Sequence, residues 1–204
     1  MNQYGNFEMT ELERQQSCLK TVISMLIARK WLDDNPDKYY KLLLDTNTKD
    51  IIDAVNIKCI NDLKVVIKFY NYKLNTFLND KEIDTFITNY PEYHKILIVT
   101  DISTKAIKQL TGSTHFEVFK QIEIIKDISK HHLIPKHILL SKEDSNKVMT
   151  EYKLQKKDMA TIYIDDPMSR FLYAQKDDII QIIRYSINCG YSTFYRLVIM
   201  GSIK

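Results

Sequence analysis

The sequence predicts an α/β domain over residues 1–130 followed by a small α+β domain over residues 131–204. Three observations lead there. Segments of helical period alternate with short, continuously apolar runs along the first part, as helices laid on a buried sheet do. After Lys130 the texture changes, with Pro135 opening a short apolar run. Near the end, two β-rich segments flank Asn188-Cys189-Gly190, a hairpin signal.

Each element has its own warrant. Thr10-x-x-Glu13 is a capping box, and Leu19, Val22, Ile23, Leu26 and Ile27 recur at helical spacing up to about Trp31. A second helix is expected over about 37–44. Leu63 to Tyr70 is β-rich. Asp80 suits the start of a helix carrying Ile83, Phe86 and Ile87. Ile96-Leu97-Ile98-Val99 fits a strand buried on both faces, and Ser103 a cap for a helix through about Leu110. A further strand is expected over about 122–128. In the second part, a strand is expected over 137–140 and a helix after the capping box Ser141-x-x-Asp144, with Val148 and Tyr152 on one face. Asp166-Pro167 reads as the N-cap and first residue of a short helix. Two strands, over 179–185 and 193–200, close the chain. No internal repeat or Ser/Gly-rich linker is visible.

Composition removes several function classes. With 45% hydrophobic and 27% charged residues, the chain is ordinary for a globular protein. Its four glycines, at 5, 112, 190 and 201, cannot assemble a dinucleotide-binding turn or a phosphate-binding P-loop. The three cysteines are scattered, which fits free thiols in a reducing compartment and no metal framework. The N-terminus is polar and acidic, unlike a signal peptide, and Val22 to Ala28 is too short an apolar run to span a bilayer. The net charge of +3 is modest. Residues 1–130 balance at 18 basic against 18 acidic, so a DNA contact there has to be a local patch.

Five signatures stand in order in the last third: His131-x-Leu133-Ile134-Pro135-x-His137, Tyr152-Lys153-Leu154, Asp166-Pro167-x-x-Arg170, Ile182-Ile183-Arg184 and Tyr195-Arg196-Leu197-Val198. Together they resemble the C-terminal assembly domain of the shared fifth subunit of eukaryotic-type DNA-directed RNA polymerases, a domain with a small archaeal polymerase counterpart. The resemblance implies an N-terminal jaw domain of nuclease-like α/β architecture and a C-terminal assembly domain. It implies a non-catalytic subunit, one copy per polymerase. The assembly domain would dock on the largest subunit beside neighbouring small subunits, and the jaw would lie by the downstream double-stranded DNA. No cofactor, metal or membrane enters. The A/T-leaning residue usage and divergence suit a large cytoplasmic DNA virus, which would place the protein in the host cytoplasm and the virion; a cellular member would work in the nucleus.

The resemblance also gives site residues. Ile96 to Val99 followed by Ser103-Thr104-Lys105-Ala106 is similar to the jaw's buried strand and the turn that approaches downstream DNA, with Thr104 where the family usually has proline. Ser103, Thr104, Lys105 and Lys108 are therefore the expected DNA contacts; a helix start and two lysines suit phosphates without reading base identity. His131, Leu133, Pro135, His137, Asp166, Pro167, Arg170, Arg184, Tyr195 and Arg196 are the expected subunit-interface and fold residues. Pro135 is expected to hold residues 131–134 extended. Asp166 beside Arg170 reads as a helix cap, not a catalytic pair. The chain departs from the family at Ala160-Thr161 for Pro-Arg, Tyr173 for glycine and Asp177-Asp178 for Gly-Gln.

Two other classes compete. A Mg²⁺-dependent nuclease would use Asp62 and Lys64, an acid-x-Lys pattern on a strand, with Asp50 or Asp53 as a second carboxylate. A free-standing interaction module would use the C-terminal domain outside a polymerase.

Overall fold

The computed structural model describes residues 9–45, 55–77, 80–110 and 115–201. The chain divides into two compact units, Met1–Lys126 and Asp127–Lys204. Both are mixed α/β, and each is built on a four-stranded mixed sheet. Among the described residues, no helix is long and apolar enough to cross a membrane.

In the first unit α1 (Glu11–Ala28) opens on the expected capping box: the Glu13 N–H donates to Thr10 Oγ1 at 3.3 Å and the Thr10 N–H to Glu13 Oε2 at 2.7 Å. Cys18, Leu19, Val22, Ile23, Met25 and Leu26 are all buried, so the helix is covered around most of its girth. It stops at Ala28, three residues short of Trp31. Lys30 takes a left-handed conformation (φ 60°), and the N–H groups of Trp31 and Lys30 close onto the carbonyls of Leu26 and Ile27, both at 2.9 Å. This Schellman closure lacks its usual glycine, which is why the periodicity overran it. α2 (Pro36–Asp45) follows, with Pro36 at its first turn.

The sheet runs β1 (Val55–Lys58), β2 (Lys64–Leu74), β3 (His94–Ile102), β4 (Phe116–Lys120). β1 is antiparallel to β2, while β2, β3 and β4 are parallel. Residues 94–99 of β3 are buried without a break, as a central strand covered on both faces requires. On one face, α3 (Lys81–Asn89) and α4 (Thr104–Leu110) bring Ile83 and Ala106 against Leu74, Leu97 and Val99. Asp80 caps α3 as expected, accepting from the N–H groups of Glu82 and Ile83.

One expected strand is absent. Residues 121–124 form a single helical turn, α5 (Gln121–Ile124), and the strand lies earlier, as β4. Parallel pairing with Lys95 to Val99 recruits Phe116 to Lys120, leaving Ile124 as the buried residue of a turn on which Ile122 is exposed. β1 carried too short a pattern to be anticipated.

A largely buried hydrogen-bonded triad ties this unit together. Arg29 donates to both carboxylate oxygens of Glu117 on β4 at 2.6 and 2.8 Å, and His94 Nε2 lies 2.6 Å from Glu117 Oε1. Trp31 stands edge-on to His94, and the Arg29 guanidinium lies 5.0 Å from the Trp31 ring centre. Burial opposes ionisation of Glu117, but Arg29 and His94 outweigh it and hold the carboxyl below the usual range.

The second unit orders its strands β5 (Lys136–Leu139), β7 (Ile179–Ser186), β8 (Gly190–Ile199), β6 (Ala160–Tyr163). β5/β7 and β7/β8 are antiparallel, β6/β8 parallel. One face packs Ile179, Leu197 and Met159 with Met149 and Leu154, the latter pair from and just after α6 (Lys142–Glu151). Ser141 Oγ accepts from the Asp144 N–H at 3.1 Å, capping α6. Met149 of that helix packs into this cluster, Val148 is half-buried as well, and Tyr152 lies beyond the helix end as an exposed C-cap. Gly190, at φ 73°, closes the β7–β8 hairpin, a backbone position a side chain would strain.

Asp166 and Pro167 take the expected places at the start of α7 (Pro167–Phe171), and Asp166 Oδ1 accepts from the Met168 N–H at 2.8 Å. Asp166→Ala is expected to cost about 1 kcal/mol through that lost cap. Urea unfolding reads it directly, and no change in midpoint would remove Asp166 from the capping role. Two of the departures named above fall on left-handed backbone. Tyr173 and Asp177, standing where the resemblance gives glycine, have φ of 56° and 71°, so the backbone keeps the left-handed turns without the residue that favours them.

The cysteines differ sharply. Cys18 and Cys59 are buried, which pushes their thiols up to about 12 and about 11, whereas Cys189 is exposed at the hairpin tip.

Candidate functional sites

The parallel strands of the first unit end side by side, and the turn into α4 grows from the end of β3. Ser103 fixes it: its N–H donates to Leu74 O at 2.9 Å, its hydroxyl donates to Asn75 O at 2.6 Å and accepts from the Ala106 N–H at 3.2 Å. Ala106 is fully buried, which turns Thr104, Lys105 and Lys108 outward. Neither lysine has an ion-pair partner among the described residues. α4 has only seven residues, so the positive character of this edge comes mainly from its lysines. Beside them, Asp101 near the end of β3 holds two more, Lys120 Nζ at 2.9 Å and Lys73 Nζ at 3.1 Å. Those two ammonium groups, with the Ile102 N–H, keep the exposed Asp101 carboxyl well below the carboxylate range.

In the second unit the strand register gathers several of the expected interface residues on one sheet face. His137 pairs with Ile182, Ile182 with Phe194, Ile180 with Arg196 and Arg184 with Ser192. Side chains alternate along strands, so His137, Arg184, Phe194 and Arg196 share a face. The Arg184 guanidinium lies 4.9 Å from the Phe194 ring centre, so the face carries an Arg-Phe-Arg stripe. Burial pushes the His137 imidazole down; the Pro135 carbonyl, bonded to Nδ1 at 2.7 Å, and Asp166 oppose this, while Arg196 and Arg184 add to it. The net lowering keeps His137 neutral at pH 7.

The remaining expected residues lie elsewhere. Tyr195 points to the opposite face, 5.8 Å from the Tyr152 ring. Arg170 and Pro167 belong to α7. His131 stacks on His132 in a turn closed by the Ile134 N–H donating to His131 O at 2.9 Å, and Leu133 is exposed at its tip. The extended geometry expected of residues 131–134 is thus replaced by a turn: Pro135 constrains only the residue before it. Three aromatics were not anticipated: Phe194, and Tyr185 and Tyr191, which pair across the hairpin with ring centres 5.6 Å apart. Their signal was their place on either side of the hairpin at Asn188-Cys189-Gly190, Tyr185 before it and Tyr191 and Phe194 after it.

Nothing supports the nuclease reading. Asp62 is exposed on a 3₁₀ turn, and the Lys64 ammonium lies over the Tyr93 ring at 5.6 Å. Among the described residues, no group of three His, Cys, Asp or Glu side chains could hold a metal ion. Asp50 and Asp53 lie outside the described residues.

The described residues thus present a lysine-rich sheet edge in one unit and an arginine–aromatic stripe in the other. Comparison with known proteins gives the family. Residues 126–198 match the family model described as RNA polymerase Rpb5, C-terminal domain. The chain is 30% identical over 187 residues to DNA-directed RNA polymerase subunit 5 of Acanthamoeba polyphaga mimivirus, covering 89% of this chain and 90% of that protein. It is 44% identical over 75 residues to subunit Rpo5 of Thermofilum pendens, which is 37% of this chain and 94% of the archaeal protein. A third relative is the rpabc1 subunit of RNA polymerases I, II and III of Dictyostelium discoideum, 34% identical over 83 residues, 41% of this chain and 42% of that one. The chain belongs to the family of the fifth subunit of DNA-directed RNA polymerases.

Proposed function

We propose that this chain is a non-catalytic subunit of a multisubunit DNA-directed RNA polymerase. Its C-terminal part, 131–204, is an assembly domain that docks on the largest subunit. Its N-terminal part, 1–130, is a jaw beside the downstream duplex. The observation that carries the docking half is the extent of the archaeal match: 75 residues amount to 94% of a protein named as a polymerase subunit. A polypeptide about the size of this C-terminal unit carries that subunit name, which supports a docking surface within 131–204. The Arg184–Phe194–Arg196 face supplies the residue types that dominate binding energy at interfaces.

The jaw half rests on the mixed sheet with its helices and on Ser103, Thr104, Lys105 and Lys108 at the end of β3. This architecture suits a nuclease-like jaw that grips DNA without cutting it. Phosphodiester chemistry and its Mg²⁺ belong to the large subunits.

Mild affinity purification from the native source, with subunit stoichiometry, tests the whole reading. One copy beside the two large polymerase subunits is expected; recovery with unrelated partners overturns it. Lys105→Ala with Lys108→Ala tests the jaw separately. In the assembled polymerase, the log–log slope of duplex affinity against salt is expected to fall by about 0.9 per lost phosphate contact. An unchanged slope would take both lysines out of the DNA-facing role.

A further inference from the structure

We propose that Lys73 and Lys120, held on the two oxygens of the Asp101 carboxylate, form a second backbone-phosphate contact for double-stranded DNA beside α4. The proposal rests on the DNA-facing reading of the N-terminal unit and extends that surface to two further strands.

The register places the three residues together. Lys73 pairs with Asp101 across β2 and β3, and Lys120 pairs with Val99, two residues before Asp101. All three thus lie at the carboxyl ends of parallel strands, the edge where α/β sheets present ligand sites. The contacts are one lysine to each carboxylate oxygen, Lys120 to Oδ1 and Lys73 to Oδ2. An ammonium carries three N–H donors, so each lysine spends one on Asp101 and keeps two for a phosphate oxygen.

Charge favours an anion here. Two lysines around one carboxylate leave a net +1, and Lys105 and Lys108 bring these five residues to +3, or +2 once the neighbouring Glu123 is counted, within a stretch whose total charge is zero. The neighbouring acid is Glu123, which accepts the backbone N–H of Lys120 at 3.3 Å. A cation would meet two ammonium groups ahead of the one carboxylate. Nothing in the cluster reads a base edge, so the contact is independent of sequence.

The test uses intact polymerase carrying the variant subunit, with duplex affinity measured across a salt series. Lys73→Ala with Lys120→Ala is expected to lower the log–log salt slope by roughly 1.8, two contacts at about 0.9 each. Lys73→Arg with Lys120→Arg is expected to keep the slope; a loss with arginines too would show that the fold has changed and would overturn the assignment. Asp101→Asn, which removes an exposed negative charge between the two lysines, is expected to tighten binding at fixed salt. That single variant decides if the double alanine variant fails to assemble, and unchanged affinity there overturns the proposal. If the alanine pair leaves the slope unmoved while the Lys105/Lys108 pair lowers it, the inference fails and the DNA-facing reading stands. If neither pair moves it, the reading itself fails.

Discussion

Glu117→Gln is expected to destabilise the N-terminal unit by about 3–5 kcal/mol, the range for breaking a buried ion pair from one side. The loss is large because Arg29 stays behind, its side chain 1% exposed, without the carboxylate that two of its nitrogens hold. Urea unfolding followed by Trp31 fluorescence reports on this place, since the indole sits against both Arg29 and His94. A change under about 1 kcal/mol would show that solvent or relaxation relieves the buried charge. Replacing the three charged or titratable residues together by apolar ones of similar volume should cost far less, because no buried charge then loses its counter-ion. Acid tests the same triad. The Glu117 carboxyl titrates below its ordinary 4.5 in the folded chain, so its contribution is complete above that value. It is lost as pH falls through the lowered value, and the Gln variant should lack that part of the acid sensitivity.

The second large effect is expected at the face of Arg184 and Arg196, the proposed docking surface. Arg184→Ala combined with Arg196→Ala should cut recovery of the subunit with polymerase by at least about thirtyfold, as losing 2 kcal/mol at an interface hot spot does. Arg184 is exposed and neither guanidinium has a carboxylate partner among the described residues, so stability should change little. That separation is the point of the measurement. Undiminished recovery would move the docking surface off this face, while a fall in recovery matched by a fall in melting temperature would make the arginines structural.

What was legible in the sequence follows from which interactions are local. The Thr10, Asp80, Ser103, Ser141 and Asp166 caps were readable because each binds an N–H two or three residues away. The unbroken apolar core of β3 announced a central strand, and Gly190 announced the hairpin. Long-range pairing was not readable. β4 was displaced from its expected place because its partner, 95–99 of β3, selects Phe116 to Lys120 and not the isoleucines after them. The Arg29–Glu117 pair joins residues 88 apart, and no local pattern anticipates it. The same holds for the candidate sites. Lys105 and Lys108 were singled out through the resemblance to the polymerase subunit, whereas Lys73 and Lys120 came together only when the sheet brought them to Asp101. Likewise, five signatures in order pointed to a family, but register decided that His137, Arg184 and Arg196 share a face while Tyr195 does not.

The contrast among the three thiols makes the chain its own reporter. At neutral pH, burial keeps Cys18 and Cys59 protonated and shielded, so an alkylating reagent should modify Cys189 alone in the folded protein. No engineered cysteine is then needed to place a fluorophore or spin label at the tip of the β7–β8 hairpin. Its accessibility, compared between the isolated chain and the polymerase, would show in one alkylation time course whether assembly covers that end of the sheet.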